Sequence, residues 1–320
     1  MQTFDRLVTI YGGSGFVGRH IVRALARRGF RIRVAVRRPD LAGHLQPLGA
    51  VGQINAVQAN LRYPASVRQA AEGAEIVINC VGILHESGRQ KFDSVQARGA
   101  AAVARAAADV GARLIHVSAI GADVDSASDY ARSKAAGEEA VLAAVPGAII
   151  LRPSVIFGPE DDFFNRFAGL ARISPVLPLV AGGHTRFQPV FVGDVAAAAM
   201  AAVDGQVAPG TVLELGGPAL KSFRDILEFI LETTGRKRLL LPLPEGLARL
   251  SARFLQMLPN PMLTVDQVTL LQSDNVVSEA AKAEGRTLEG LGLAPRSVES
   301  VVPTYLWRFR KQGQFAELPR

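Results

Sequence analysis

Short apolar runs alternate with amphipathic stretches along the first half of the chain. Apolar runs of this kind, bounded by glycine or polar residues, are typical of strands buried in a parallel sheet. They lie at residues 7–11, 31–36, 53–59, 75–81, 112–118 and 147–152, with a shorter one at 211–216. Between them, apolar residues recur at helical spacing, most clearly over 16–28 and 94–109. The alternation predicts an α/β fold with a doubly wound parallel sheet.

A glycine-rich loop follows the first predicted strand, in the segment Gly12-Gly13-Ser14-Gly15-Phe16-Val17-Gly18. Gly12 permits a tight turn, Gly15 lets the backbone approach a pyrophosphate, and Gly18 lets the helix pack against the strand. The N-terminus of the helix then presents free N–H groups and the positive end of its dipole. The sequence therefore predicts a Rossmann-type dinucleotide site formed by these seven residues.

Two arginines, Arg37 and Arg38, follow the second predicted strand, where an NAD site carries an acidic residue. The first carboxylate comes only at Asp40, after Pro39. Guanidinium groups suit a 2′-phosphate because they donate forked, charge-assisted hydrogen bonds. This favours NADP(H) over NAD(H), and the alternative is a pair of surface arginines beside a less selective NAD site.

The third and fourth predicted strands also end at candidate cofactor contacts. Asn60 and Leu61 follow the third strand, where related folds contact adenine. The fourth ends in the small-residue run Asn79–Gly82, so Val81 and Gly82 are expected beside the cofactor. Cys80, within that run, is interpreted as a small buried apolar residue and not as a nucleophile.

The regular alternation ends near residue 152. The segment 153–193 is rich in proline, glycine and phenylalanine, and helices are expected at 222–234 and 245–258. We expect a dinucleotide-binding core over 1–152 and a smaller C-terminal substrate or partner lobe over 153–320, interleaved with the core.

Two segments of this lobe combine apolar and cationic residues. On a helix over 245–258, one face would carry Leu247, Leu250, Phe254 and Leu258, and another Arg249, Arg253 and Gln256. Such a helix either covers the core of the lobe or docks on a subunit or membrane surface. The tail mixes aromatic and basic residues, as membrane or partner contacts often do: Tyr305, Trp307, Arg308, Phe309, Arg310 and Lys311.

Composition narrows the class of protein. The net charge of +7 indicates either a solvated basic surface or a face toward an anionic nucleotide or lipid headgroup. No nucleic-acid-binding motif and no metal-ligand spacing of the histidines is found. One cysteine fits a reducing compartment, no apolar run reaches membrane-spanning length, and Met1–Leu7 lacks the apolar region of a signal peptide. We expect a cytoplasmic protein, either free or peripheral on the inner face of the membrane.

Tyr130 and Lys134 lie four residues apart, which places them on one face of a helix. An ammonium group beside a phenol lowers the pKa of the phenol, so the tyrosine can exchange a proton while a nicotinamide exchanges hydride. Lys134 is also a candidate ligand of the nicotinamide ribose.

Together these features resemble the extended short-chain dehydrogenase/reductase superfamily. The resemblance covers most of the chain and includes the glycine loop, Asn79–Gly82, Leu114–Ser118, Tyr130 with Lys134, Arg152–Pro159 and Pro189–Ala196. It implies a nicotinamide cofactor, contacted also by Pro153, and makes Tyr130, Lys134 and Ser118 the candidate catalytic residues.

Further segments resemble one atypical group, the nucleotide-binding accessory subunit of respiratory complex I and its bacterial relatives: Ile115–Ser118, Phe157–Asp161, Phe164–Phe167, Gln188–Val190 and Thr304–Arg308. The resemblance implies tightly held NADPH with a structural role. Complex I subunits or a membrane surface are then the expected partners.

The sequence departs from an active reductase at one position. Aligning Leu114–Ala119 with the superfamily puts Ala119 where the catalytic Ser or Thr stands, and Ser118 is one residue earlier. A shift of one residue on a strand turns the side chain to the other face, unless the strand bulges. Three hypotheses follow: a cofactor-binding scaffold, a reductase, epimerase or dehydratase acting on a small apolar or quinone-like hydroxyl or carbonyl compound, and a sensor of the nucleotide ratio.

Overall fold

Strands and helices alternate along the chain of the computed structural model, which describes residues 6–256, 261 and 263–315. The strands are, in chain order, β1 (Leu7–Tyr11), β2 (Arg31–Val36), β3 (Ile54–Gln58), β4 (Ile76–Asn79), β5 (Arg113–Val117), β6 (Ile149–Pro153), β7 (Ile156–Phe157), β8 (Val176–Val180), β9 (Arg186–Phe187), β10 (Val190–Phe191), β11 (Val212–Leu215), β12 (Lys221–Ser222) and β13 (Leu239–Leu243).

The helices alternate with these strands along the chain. They are α1 (Phe16–Arg27), α2 (Pro64–Ala71), α3 (Arg98–Asp109), α4 (Asp129–Ala144), α5 (Phe164–Ile173), α6 (Val192–Val203), α7 (Phe223–Thr234), α8 (Glu245–Leu255), α9 (Val265–Leu270), α10 (Glu279–Ala283), α11 (Val298–Val301) and α12 (Pro303–Leu306). A π-helical turn at Asp93–Ala97 precedes α3, and a 3₁₀ helix at Pro39–Leu48 follows β2. Within the described residues no helix is both long and apolar enough to cross a membrane.

The central sheet has the order β11-β6-β5-β4-β1-β2-β3, and its strands pair in parallel. The predicted doubly wound parallel sheet is confirmed. The order reverses between β1 and β4, because β2 and β3 extend the sheet in one direction and β4, β5 and β6 extend it in the other. At such a switch point the loops leaving the two strands diverge, which opens a crevice at their carboxyl ends.

The chain divides into two compact units. The first contains the residues up to Pro153 together with Gly193–Leu215 and Glu279–Leu293, and the second contains Ser154–Val192, Gly216–Ser278 and the residues from Ala294 onward. In the first unit, a cluster of small residues on α3 packs against the sheet and α4, including Ala100, Val103 and Ala104. In the second unit the core is aromatic and includes Phe157, Phe164, Phe187 and Phe223.

The C-terminal tail packs into the core of the second unit. The hydroxyl of Tyr305 is buried and donates a hydrogen bond to Oδ2 of Asp161, at 2.6 Å. Arg308 donates to Oδ1 of Asn165 at 2.6 Å, and Phe309 packs against the same core. Tyr305 therefore belongs to this core and Phe309 is partly buried against it, so of these two and Trp307, the aromatic residues named in the tail, Trp307 is the one left exposed within the described residues.

The Tyr305 hydroxyl is a test of how the tail stabilises the second unit. We expect Tyr305→Phe to lower the free energy of unfolding by about 1–3 kcal/mol, because Asp161 is left buried with one donor fewer. Urea unfolding measures the loss. Tyr63→Phe, at an exposed tyrosine, is the matched control and should change stability little, so equal effects of the two substitutions would contradict this account.

Candidate dinucleotide site

A cavity of about 240 Å³ opens at the carboxyl ends of β1, β2, β3 and β4, in the crevice that the switch of strand order creates. All of its lining residues belong to the first unit: Tyr11, Gly12, Ser14, Gly15, Ala35, Val36, Arg37, Ala59, Asn60, Leu61, Arg62, Cys80, Val81, Gly82, Ile83, Gln90 and Val95. Four separate segments of the chain thus meet at one edge of the sheet, as the sequence predicts.

The glycine loop forms a cradle that side chains would fill. Gly12 has a φ of +76°, in the left-handed region that favours glycine. A Cβ atom on Gly18 would lie 2.3 Å from the carbonyl oxygen of Gly12, and one on Gly13 would lie 2.9 Å from Val34. Gly15 is the N-cap of α1 and supplies no side-chain cap. The first-turn amides of α1, from Phe16 to Gly18, are therefore left for an anionic ligand such as a pyrophosphate.

The two arginines after β2 have different surroundings. Arg37 lines the cavity. Arg38 is outside the lining and binds Asp40 through two nitrogens, with Nη2 at 2.6 Å from Oδ2 and Nε at 3.0 Å from Oδ1. This hydrogen-bonded pair holds the pKa of the Asp40 carboxyl below its usual value. The structure thus brings one of the two predicted guanidinium groups to the cavity.

The loop after β3 lines the crevice with Asn60 and Leu61, the two residues that the sequence suggests there. Oδ1 of Asn60 accepts the N–H of Arg62 at 3.1 Å, which fixes the turn. Arg62 itself lines the cavity and was missed in the sequence. Arg62 could have been proposed from its position two residues after Asn60, in a loop already expected to contact the cofactor. Gln90 and Val95, which come from the segment before α3, carried no recognisable signal.

A chain of buried polar groups fixes the loop after β4. Oδ1 of Asn79 accepts the N–H of Val81, and its Nδ2 lies 3.1 Å from Nδ1 of His116. Because Oδ1 is already an acceptor, Nδ2 donates to His116, whose ring is then neutral with its proton on Nε2. Burial, reinforced by the Lys134 ammonium, lowers the pKa of His116 to about 3. The neutral histidine thus positions the backbone at Val81 and Gly82 through Asn79.

Lys134 reaches the same end of the cavity from α4. Its Nζ donates to the carbonyl of Val117 at 3.3 Å and lies 5.8 Å from the centre of the Tyr130 ring. A Cβ on Gly82 would lie 3.3 Å from this Nζ. Burial lowers the pKa of Lys134 to about 8, although the nearby Glu138 carboxylate opposes the shift. Near neutral pH the group is therefore an ammonium beside a phenol.

Glu138 anchors α4 to the sheet one turn after Lys134. Its carboxylate is buried and accepts two hydrogen bonds from Arg152, from Nε at 2.9 Å and from Nη2 at 2.6 Å. Paired bonds of this kind fix both distance and orientation. Gly137 permits the close packing of α4, since a Cβ there would lie 2.5 Å from the carbonyl oxygen of Gln96.

The side chain of Ser118 is buried on the face of the sheet that α3 and α4 cover. The strand pairing continues past β5 without a bulge, since Ser118 N–H donates to Leu151 at 2.7 Å and Ile120 N–H to Pro153 at 3.0 Å. Ser118 therefore shares a face with Leu114, which packs toward α3 and α4. Its Oγ is buried and has no hydrogen-bond partner within the part of the chain that is described.

By the same alternation Ala119, at the position that the sequence alignment gives to the catalytic hydroxyl, lies on the opposite side of this extended segment. Tyr130 packs edge-to-face on Phe92, with ring centres 5.8 Å apart.

Pro153 ends β6, is buried, and is not among the residues that line the cavity. Cys80 lines the cavity, and its apolar surroundings raise the pKa of its thiol to about 12. Among the described residues no group of histidine, cysteine and acidic side chains is placed to hold a metal ion.

The model of the NAD dependent epimerase/dehydratase family matches residues 8–216, and the chain belongs to that family. The ligand class of the cavity is accordingly a nicotinamide dinucleotide. The glycine cradle, the uncapped N-terminus of α1 and the cationic lining fit such a ligand.

Among individual proteins, the chain is similar to the mitochondrial NADH dehydrogenase [ubiquinone] 1 alpha subcomplex subunit 9 of Arabidopsis thaliana, at 33% identity over 96% of this chain and 79% of that protein. The resemblance to the accessory-subunit group is thereby confirmed. A ceramide reductase of Caulobacter vibrioides is 41% identical over 60% of this chain and 59% of its own length.

The dTDP-glucose 4,6-dehydratase DesIV of Streptomyces venezuelae, solved with NAD bound, superposes with a TM-score of 0.72 at 18% identity, covering 96% of this chain and 98% of that one. At this identity the likeness concerns the fold.

The buried histidine predicts a specific pH dependence. The pKa of His116 in the folded chain, about 3, is below the ordinary value of 6.5, so stability is fully present above pH 6.5 and is lost as the pH falls toward 3. Between pH 7 and 4.5 this group should remove about 2 kcal/mol. Urea unfolding at both pH values should show that His116→Gln loses less on acidification than the parent chain does. Equal losses would contradict the assignment of a neutral buried ring.

Proposed function

We propose that the chain binds NADP(H) as a structural or regulatory cofactor and associates with respiratory NADH:quinone oxidoreductase, complex I. The observation that carries the proposal is the contrast between a complete cradle and an incomplete catalytic set. The glycine loop and Arg37 line the crevice and the buried Lys134 lies behind Gly82 at its edge, whereas the aligned position of the catalytic hydroxyl holds Ala119 in an unbroken strand extension. The similarity to subunits of NADH dehydrogenase supports the choice of partner.

Each part of the proposed cofactor would be bound by a different group of the candidate residues. The loop from Gly12 to Gly18 would hold the pyrophosphate through its amides, and Arg37 would pair with the 2′-phosphate. Asn60 and Leu61 would contact adenine. The nicotinamide half would lie toward the backbone of Val81 and Gly82, with Tyr130 and Lys134 holding its ribose and Pro153 near its far end. The bound cofactor supplies a hydride-exchanging ring, and without a substrate hydroxyl contact at Ala119 the chain uses it as a fixed part of the structure.

The proposed place of the protein is the cytoplasm, peripheral on the inner face of the membrane. Complex I is a membrane assembly, so a subunit or assembly partner whose described residues include no membrane-spanning helix would bind at that surface. The single cysteine supports a reducing compartment.

A second candidate function is an NADPH-dependent reductase of a carbonyl-bearing small molecule. It is favoured by the intact pair of Tyr130 and Lys134, whose Nζ lies 5.8 Å from the phenol ring centre, and by the partial similarity to a ceramide reductase. In that case Tyr130 would donate the proton to the carbonyl oxygen, and the Lys134 ammonium would lower the pKa of the phenol.

The choice of NADP(H) over NAD(H) is tested by separating the two arginines. We expect Arg37→Gln to weaken NADPH binding by about 10-fold to 100-fold, the value of a charge-assisted hydrogen bond, and to leave NADH binding unchanged. Arg38→Gln is the matched control, because Arg38 is already bound to Asp40, and it should change either affinity less than threefold. Titration calorimetry measures both affinities. An Arg37 variant that keeps its preference for NADPH would overturn this assignment.

Measuring the oxidation of bound NADPH distinguishes the two candidate functions, a cofactor-binding scaffold and a reductase. The scaffold predicts that NADPH copurifies with the chain, and that added carbonyl compounds, a ceramide precursor ketone included, leave it unoxidised in the parent chain and in Tyr130→Phe alike. It also predicts that complex I subunits copurify from native membranes above the level found with an unrelated family member. NADPH oxidation that Tyr130→Phe abolishes would exclude the scaffold and establish the reductase.

A further inference from the structure

One face of α8 is apolar and exposed. The side chains of Leu247, Leu250 and Phe254 recur at three- and four-residue steps and form a single stripe. Their exposed fractions are 56%, 53% and 68%. Leu258, expected on the same face, lies outside the described residues. Exposed stripes of large apolar side chains are costly in water and mark interaction sites.

The opposite face of α8 holds the helix to the second unit through small residues. Ala248 and Ala252 are fully buried in a cluster with Val180 and Val268. The helix therefore buries its alanines and presents its leucines and phenylalanine outward. A helix that served only to cover a core would do the reverse, because large side chains gain more from burial than methyl groups do.

Further exposed apolar side chains lie on the strand that precedes α8. Leu239 and Leu241 are two residues apart on β13 and are 62% and 50% exposed. At the start of this strand, Leu239 N–H donates to the carbonyl of Pro175 at 3.1 Å, just after Ile173, which is also exposed. We call these six side chains the apolar surface: Ile173, Leu239, Leu241, Leu247, Leu250 and Phe254.

The segment that carries most of the apolar surface is strongly basic. Residues 235–256 contain five basic residues and one acidic residue, so this segment carries +4 of the net charge of +7. The acid, Glu245, is paired with Arg249 at 2.9 Å. Burial and the nearby Arg238 and Arg172 guanidinium groups lower the pKa of Arg236, which places three cations close together.

We propose that the apolar surface, with its arginines, docks on an anionic lipid bilayer. Apolar side chains alone would suit a protein partner equally well, and the accumulated positive charge selects a surface of negatively charged headgroups. With eleven residues at ~1.5 Å per residue, α8 is too short to cross a bilayer core of about 30 Å, so it lies in the plane of the interface. Its alanine face stays on the protein while the apolar stripe enters the headgroup region.

This inference adds a lipid contact to the proposed peripheral placement. It rests on the proposed function only for the membrane at which the protein is placed. Its test uses the full chain and protein-free vesicles. We expect the chain to float with vesicles that mix phosphatidylglycerol and phosphatidylcholine, to bind pure phosphatidylcholine at least tenfold more weakly, and to lose affinity as salt is raised. Equal binding to both vesicles, or to neither, overturns the proposal.

Two matched double variants locate the contact. Leu250→Ser with Phe254→Ser should lower the vesicle partition coefficient at least tenfold. Val51→Ser with Leu220→Ser removes the same kind of exposed apolar side chain elsewhere and should change it less than twofold. Arg249→Gln and Arg253→Gln should each cost about fivefold on anionic vesicles. Parent-like binding by the first double variant would place the contact elsewhere and overturn the proposal.

A fluorescent reporter tests insertion directly. Trp307 is the one tryptophan of the sequence, so Trp307→Phe with Phe254→Trp leaves a single indole on the stripe. Its emission should shift to the blue and be quenched by brominated lipids with anionic vesicles, and an unshifted spectrum would contradict insertion. Binding only to membranes that contain complex I would overturn the lipid proposal and leave the proposed function standing. Vesicle binding without complex I association would support the lipid proposal and overturn the proposed association with complex I.

Discussion

The nucleotide cradle depends on the close contact between Gly18 and the carbonyl oxygen of Gly12. Any side chain at position 18 would collide with this oxygen, so the contact exists only with glycine. It lets α1 start directly beneath the turn that leaves β1, and the N-terminus of the helix then faces the crevice between β1 and β4. The direction of the helix, the position of its free amides and the depth of the crevice all follow from this one approach of backbone to backbone.

The opposite end of the crevice is set by buried polar groups. Asn79 and His116 fix the loop after β4, and Glu138 with Arg152 fixes the helix that carries Lys134. These groups are expensive to bury unless they are paired, so their geometry is tightly determined. A partly satisfied set remains beside them: the oxygens Ser118 Oγ and Gln96 Oε1 and the Nε2 of His116 are buried without hydrogen-bond partners within the described residues.

Local patterns in the sequence were sufficient for the strands, the glycine loop and the convergence of four strand ends. They failed where a choice depends on neighbours in space. Arg37 and Arg38 are chemically the same, and only the position of Asp40 draws Arg38 away from the cavity. The tail mixes aromatic and basic residues, and this pattern does not reveal that the buried hydroxyl of Tyr305 donates a hydrogen bond to Asp161, far away in sequence.

The helix α8 is a second case in which the local sequence pattern does not show which residues are buried. Its wheel contains an apolar stripe of large residues, and the sequence pattern favours burying that stripe. The structure buries the alanines instead, because α9 and the end of β8 approach closely enough to admit only small side chains. Periodicity identifies faces of a helix, and tertiary packing decides which face is covered.

The alanine in place of the hydroxyl after β5 has a consequence for the abundance of the protein. Under the proposed scaffold role the bound ligand is not consumed and acts on the folding equilibrium by mass action, adding about 2.7 kcal/mol when its concentration is 100 times its dissociation constant. The first unit would then be most resistant to unfolding and proteolysis when the dinucleotide is plentiful. In a cell depleted of that nucleotide, the same chain would be degraded faster, so its level would follow the metabolic state with no chemistry taking place at the site.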